Sequence, residues 1–508
     1  MSSRTINSIR NIIFGFMAQG MTSILAFVNR SIFIYTLGNT YLGLNGLFSD
    51  LLTLLSLAEL GVGTAITYSM YKPVAENDER KVSALLNLYG KIYTVIGVVV
   101  TILGLALTPF LSFFISDLPL ELDNLHVIYL LYLLNTSLSY FFVYKQSMLI
   151  ATQRIDITSK IQMIVTLLQN IVQILVLLLF RNFIMYLLVQ VVSVVCTNIC
   201  ISRYVDINYS YIKYYKKEKV DESTKKEIFK NISAMFFSKI SSAIVTSTDN
   251  ILISKYVSTI VLGYYSNYLL FINLIRQVTS RVFSSLTGSI GNLLAIESNE
   301  KSYDIFKKVF FINFWIVGLC STMLYILVNP LISIWIGESY KLNQGIVFMI
   351  CLNLYLRLIR NTFLTFIDTY GLFKEMKWKC VFEAVINLIA SLIYLKVFKL
   401  GLIGVLIGTF TSNLLTNFWF EPYVLYRSKF KQSLINYFKV FFKYLFVVLL
   451  TGLFTGILCN IDFTDIEFLN LLFKSLVSLI SINMCYLLAF YKTDELLYFK
   501  SLVLKFKK

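Results

Sequence analysis

Histidine is nearly absent from this chain: His126 is the only one among 508 residues, alongside five prolines and seven cysteines. A single imidazole cannot supply the clusters that metal sites and histidine-based acid–base catalysis require. The cysteines (Cys196, Cys200, Cys320, Cys351, Cys380, Cys459 and Cys485) show no C-x-x-C spacing and no partner histidine, so they read as packing residues within apolar segments. Charge is also scarce, at 14%, while 57% of residues are apolar and the mean hydropathy is +0.72. A soluble domain carries about 25% charged residues, so this composition excludes an ordinary soluble enzyme and makes lipid the solvent. No hydrophilic domain interrupts the chain. The expected outer loops, such as Ser116–Asn124 and Pro330–Asn343, are short and poor in acid–base pairs, which argues against a membrane glycosyltransferase or polymerase.

What is present is a series of apolar runs near the ~20 residues that a spanning helix needs. They fall near 11–37, 41–70, 83–115, 125–150, 161–180, 183–202, 231–256, 260–290, 307–329, 344–368, 378–398, 401–426, 438–459 and 468–491. About fourteen transmembrane helices put both termini on one side. With that side cytoplasmic, its cations outnumber those opposite by roughly six to one, as the positive-inside rule demands. The richest of these segments is Asp206–Lys230; the other side offers Arg181, Lys255, Lys341, Lys396 and Lys399. Most of the net charge of +17 is therefore a topology label, and nucleic acid is not needed to explain it. The first run is too long for a signal h-region, contains Arg30 and has no small-residue cleavage site after it, so it reads as a span.

An internal repeat runs through most of the chain. Leu42-Gly43 recurs as Leu262-Gly263, Glu79 as Glu300, Pro109 as Pro330 and Asn170 as Asn387, at offsets between 217 and 221. The expected fold is an all-α integral membrane protein with two six-helix bundles, residues 1–215 and 216–430, followed by two additional helices and a tail in 431–508. Six spans per half make the repeats parallel, related by an axis along the membrane normal, with a cleft expected between them.

An ionisable side chain near mid-membrane costs about 2.5–3.5 kcal/mol on insertion scales, so each one calls for a reason. The candidates read as lying deep in the spans are seven cations, Arg30, Lys145, Lys239, Arg276, Arg281, Arg357 and Arg360, against four carboxylates, Asp50, Glu59, Asp249 and Glu383. For long cations near helix ends, Lys145, Lys239 and Arg281, snorkelling is one reading and a place in the cavity the other. Arg276 and Arg357 lie midway along their spans, and Arg357 and Arg360 share a helix face, which leaves cavity lining or pairing with carboxylates. Arg30 and Asp50 sit at mirrored distances from a hairpin tip near Thr40 and are placed to pair. The cationic bias suits an anionic ligand, and guanidinium forks suit phosphate oxygens. In Gly401-x-x-Gly404-x-x-x-Gly408 the glycines read as a close helix-packing face.

The segment Arg30…Tyr35-Thr36-Leu37-Gly38…Tyr41-Leu42-Gly43-Leu44-Asn45-Gly46-Leu47-Phe48, continuing through Leu57-Ala58-Glu59-Leu60-Gly61-Val62-Gly63 to Tyr71-Lys72-Pro73, resembles the polysaccharide (O-antigen, Wzx-type) repeat-unit transporters. These belong to the multidrug/oligosaccharidyl-lipid/polysaccharide (MOP) exporter superfamily. Tyr144-Lys145-Gln146-Ser147, Asp249-Asn250-Ile251 and Gly288-Ser289-Ile290-Gly291-Asn292 are similar to the same group. The resemblance implies a MATE-like two-bundle fold and a non-enzymatic flippase of the bacterial inner membrane, without cofactor. Its cargo would be an undecaprenyl-diphosphate-linked oligosaccharide for surface polysaccharide such as O-antigen or capsule. It also implies alternating access driven by H+ or Na+, and work beside a polysaccharide polymerase complex. Arg30 and Glu59 fall within the matched motif. Depth and sign add Arg276, Arg357 and Arg360 as expected diphosphate contacts, with Lys239 counted beside them and Asp50, Glu59 and Asp249 as ion-coupling or gating groups. The alternatives are a multidrug/cation antiporter of the same fold, which the cationic bias disfavours, and a non-transporting assembly scaffold, which would have no reason to bury arginines.

Overall fold

The computed structural model describes residues 20–506 other than 23, 60–61, 117–123 and 297. Arg4, Arg10 and the beginning of the first expected span lie outside the described residues, as do the side chains of Lys239 and of most of Gly288–Asn292.

All regular structure among the described residues is helical. In chain order the helices are α1 Gly20–Leu37, α2 Asn39–Leu55, α3 Val62–Ala75, α4 Glu79–Leu107, α5 Leu125–Phe142, α6 Gln146–Ala151 and α7 Ile155–Phe180. There follow α8 Phe183–Asn208, α9 Tyr211–Tyr214, α10 Glu222–Tyr256, α11 Thr259–Ile296, α12 Asn299–Ile336, α13 Gln344–Ile359 and α14 Asn361–Tyr370. The last six are α15 Phe373–Lys396, α16 Leu402–Leu415, α17 Asn417–Leu425, α18 Leu434–Cys459, α19 Glu467–Phe490 and α20 Asp494–Phe506.

Ten of the described helices or helix runs are long and apolar enough to cross a membrane, or eleven when the pair α5/α6, bent by 42°, counts as one span. The three other expected spans are also helical, in α2/α3, α10 and α11. They are the segments that carry Asp50 and Glu59, Lys239 and Asp249, and Arg276 and Arg281; in the first of them the span is split into two shorter helices, α2 of 17 residues and α3 of 14. Several helices run past the expected spans: α10 begins at Glu222, and α12 begins at Asn299, passes through Pro330 and ends at Ile336, so the expected outer loop shrinks to the stretch after it.

By contacts the chain divides into two compact units, residues 1–263 and 264–508. In the first, α3, α4, α6, α8 and α9 close on a core that includes Ile66, Met70, Leu85, Leu86, Leu149, Val205 and Ile212. Ile228 of α10 joins the same core, so the chain leaving α8 does not swing free. In the second, the core is aromatic. Phe306, Phe310 and Phe314 of α12 meet Phe363 of α14, Tyr444 of α18 and Phe490 of α19. The Phe314 and Tyr444 rings stack at 4.2 Å, and Trp315 Nε1 donates to Asn483 Oδ1 at 2.9 Å. Offset aromatic pairs add about 0.5–1.5 kcal/mol each beyond the area they bury, so the last two spans are integral to this unit.

Two structural details follow the internal repeat. Asp78 caps α4 by accepting from the Lys81 N–H, and Ser298 caps α12 by accepting from the Lys301 N–H, both at an offset of 220. Within the first unit Gly43 lies against the Thr259 carbonyl, and Gly263 against the Asn39 carbonyl, which a Cβ would approach to 2.5 Å. Residues 43 and 263, and 39 and 259, share that offset, so the contact is reciprocal.

Candidate functional site

In the first unit the candidate residues come as polar contacts between neighbouring helices. Asn29, the residue before Arg30 on α1, is buried and donates from Nδ2 to Asn170 Oδ1 at 2.7 Å and Gln173 Oε1 at 3.0 Å on α7. Gln173 in turn donates to the Tyr186 carbonyl of α8 at 3.2 Å. Arg30 is thus carried on a helix pinned at its own level. Asp50 of α2 accepts from Asn250 Nδ2 of α10 at 2.7 Å, and from Ser247 one turn earlier. Asp249 stands beside that asparagine.

Glu59 occupies the short 3-10 turn Ser56–Glu59, where the second span breaks between α2 and α3. Tyr93 of α4 donates to its Oε1 at 3.0 Å, Tyr140 of α5 also bonds it, and Tyr89 packs edge-on to Tyr93 at 4.6 Å. Gly63 leaves room for the Tyr89 hydroxyl, since a Cβ there would come within 2.8 Å of it. The partners of Asp50 and Glu59 described here are all neutral donors. Such a carboxylate can take up a proton or a cation without breaking an ion pair.

The second unit handles charge differently. Arg360, at the junction of α13 and α14, grips Glu421 of α17 with its fork, Nε to Oε2 at 3.0 Å and Nη2 to Oε1 at 2.5 Å. Lys379 of α15 reaches Glu421 at 2.9 Å and Glu383 at 3.1 Å, and Glu383 lies 3.7 Å from Arg360. Asn417 donates to Glu383 at 2.7 Å. Two cations and two carboxylates form a neutral quartet in which Glu421 is fully buried. Arg360, Glu421, Asn413 and Asn417 also form the polar wall of a small cavity closed by Phe363, Phe418, Tyr437 and Phe441.

Arg360 thus both pairs with carboxylates and borders a cavity. Lys379, one residue inside the expected span 378–398, and Glu421, inside the expected span 401–426, are both buried in the quartet. The sequence did hold signals: Lys379 and Glu383 are four apart on one helix face, and Glu421-Pro422 interrupts an apolar run. Arg276 of α11 is partly buried and donates from Nη1 to Asn273 Oδ1 at 3.2 Å, and Arg357 lies one turn before Arg360, partly buried. Lys145 is held by Asp206 at 2.6 Å. Among the described residues no group of three or more His, Cys, Asp or Glu is placed to hold a metal ion.

The fold matches solved transporters. An inward-facing multidrug resistance MATE family transporter of the MOP superfamily superposes with a TM-score of 0.64 at 16% identity, over 78% of this chain and 93% of that one. The lipid II flippase MurJ, in an inward closed conformation, gives 0.61 at 17% identity over 94% and 99%. A MOP superfamily transporter from Pyrococcus furiosus gives 0.55 at 14% identity over 85% and 98%. No curated protein matches the sequence. The profile of the family described as polysaccharide biosynthesis protein matches residues 8–288, more than half of the chain. The chain therefore belongs to the polysaccharide biosynthesis protein family, built on the all-helical membrane fold of the MOP-superfamily transporters.

Proposed function

We propose that this protein is a flippase that carries an undecaprenyl-diphosphate-linked oligosaccharide from the cytoplasmic to the outer face of a bacterial inner membrane. It works by alternating access of two parallel repeats, residues 1–215 and 216–430, with both termini cytoplasmic. The observation that carries the reading is the joint occurrence of a polysaccharide biosynthesis family match and arginines held within membrane spans. An anionic headgroup is what such residues recognise. In this reading Arg30, Arg276 and Arg357, with Lys239 in support, contact the diphosphate. Arg360, whose charge Glu421 already balances, contributes by anchoring the junction of α13 and α14 one turn after Arg357.

Ion coupling belongs in this reading to Asp50, Glu59 and Asp249. The neutral donors around Asp50 and Glu59 support it, because each carboxylate can change protonation or ion occupancy and so bias one state over another. The Arg276→Ala/Arg357→Ala double variant tests the assignment. In cells depleted of the resident protein, it should fail to restore surface polysaccharide at normal protein level. Full restoration would remove both arginines from the site.

A further inference from the structure

The segment joining the two repeats carries a feature that neither topology nor the flippase reading requires. Along α8 the exposed residues Leu188, Val192, Ile199, Arg203 and Ile207 follow one another at multiples of about one turn, so they form a single stripe. Its upper part is apolar and unpartnered on a membrane span, and therefore faces acyl chains. Its lower end, at Arg203 and Ile207, emerges on the same lipid-facing side. The chain then turns into α9, where Tyr214 is 82% exposed, as is Ile207 at 77%. Lys213, Lys216, Lys217 and Lys219, all exposed, follow directly.

A tether would need only length, yet this one is bolted down. Asn87 of α4 donates from its Nδ2 to the carbonyls of Tyr215 at 3.2 Å, Lys216 at 3.0 Å and Glu218 at 3.3 Å. The Tyr209 hydroxyl donates to Thr152 Oγ1 at 3.1 Å, and Ile212 is buried in the core of the first unit. Arg80 lies 5.6 Å over the Tyr215 ring. Asp206 is occupied by Lys145 at 2.6 Å and Lys213 at 3.7 Å. Between residues 203 and 219 that leaves Glu218 as the one uncommitted acid, against Arg203 and three lysines, with Asp221 and Glu222 following at the start of α10.

We propose that residues 203–219 form a rigid docking surface for the headgroups of anionic phospholipids. Arg203, Lys216, Lys217 and Lys219 meet the phosphates, while Ile207 and Tyr214 sit in the interface. The stripe on α8 identifies the occupant as lipid of the surrounding bilayer, because the surface continues a face already turned to acyl chains. The excess of cations selects anionic headgroups over zwitterionic ones. Placement at the inner leaflet rests on the orientation proposed above.

The test uses the full-length protein in phosphatidylcholine nanodiscs that contain trace photoactivatable phosphatidylglycerol or, in parallel, photoactivatable phosphatidylcholine. Cross-linked peptides are mapped by mass spectrometry. The phosphatidylglycerol probe should label residues 203–219 in clear excess. In Lys216→Gln/Lys217→Gln/Lys219→Gln that excess should fall about fivefold per charge removed, the equivalent of about 1 kcal/mol for each basic residue at the surface. Asn87→Ala keeps every charge but frees the backbone, and should lower the excess several-fold. Lys429→Gln/Lys431→Gln, on another basic segment, should leave it unchanged. Equal labelling by the two probes, or labelling that ignores the triple variant, would overturn the proposal, and full labelling in Asn87→Ala would overturn its rigidity. No oligosaccharide carrier enters the measurement, so failure here leaves the flippase reading standing, and failure to flip leaves this one standing.

Discussion

At the scale of single residues, the main contrast is between carboxylates held by neutral donors and carboxylates locked by cations. Glu421 is of the second kind, and breaking a buried pair by removing one partner typically costs about 3–5 kcal/mol. Glu421→Ala should therefore lower the thermal stability of the purified protein by an amount in that range. Arg360→Met/Glu421→Met, which removes the pair and leaves Lys379 with Glu383, should unfold close to the parent temperature. Asp50 and Glu59 are of the first kind. Asp50→Asn and Glu59→Gln should preserve the fold while abolishing gradient-driven accumulation of cargo and sparing exchange at equilibrium, as read in vesicles with and without an imposed ion gradient. Arg30, Asp50, Glu59 and Arg360 were legible in the sequence because each interrupts an apolar run. The role of Arg360 was not, since it depends on Lys379 and Glu421, which lie on other spans and meet it only in three dimensions. Lys379 stands one residue inside the expected span 378–398, close to the exposed Lys377, and only burial separates the two.

At the scale of helices, glycine decides where backbones touch. The spacing Gly404-x-x-x-Gly408 predicted a close approach, and a Cβ on Gly408 would indeed come within 2.7 Å of the Ser391 backbone on α15. Gly401 belongs to a different class, standing at the start of α16 with φ 59° where an L side chain is strained. Gly43 and Gly263 were visible in the sequence only as a repeat. Their reciprocal contact with residues 259 and 39 supplies a physical reason for the repetition. Gly43→Val and Gly263→Val should each destabilise by about 1–3 kcal/mol through overpacking, and, because the contact is shared, the double variant should cost less than the two effects added. Denaturation of the three variants checks both statements. The broken second span was not legible as a break: Gly61-Val62-Gly63 is a weak signal, and the 3-10 turn that presents Glu59 to Tyr93 depends on packing against α4.

At the scale of the whole molecule, the scarcity of charge and the excess of cations have one explanation in two parts. In the proposed reading most cations label one side of the membrane, and a few within the spans meet an anion. On this orientation, in a background lacking the seven native cysteines, Lys341→Cys and Lys399→Cys should react with a membrane-impermeant maleimide in intact cells. Lys213→Cys and Lys500→Cys should react only after permeabilisation. The all-helical membrane class was legible because hydropathy is a local property of the chain. The assignment of α18 and α19 to the second unit was not, because it rests on aromatic contacts between residues more than a hundred positions apart, such as Phe314 with Tyr444 and Tyr486. The most direct measurement of the central claim is flipping of a labelled undecaprenyl-diphosphate-linked oligosaccharide by the purified protein in vesicles, with an organic cation supplied as a competing cargo. The account predicts ion-dependent flipping of the diphosphate lipid that Arg276→Ala/Arg357→Ala abolishes, with no movement of the cation. Transport of the cation without any flipping of the lipid would contradict it.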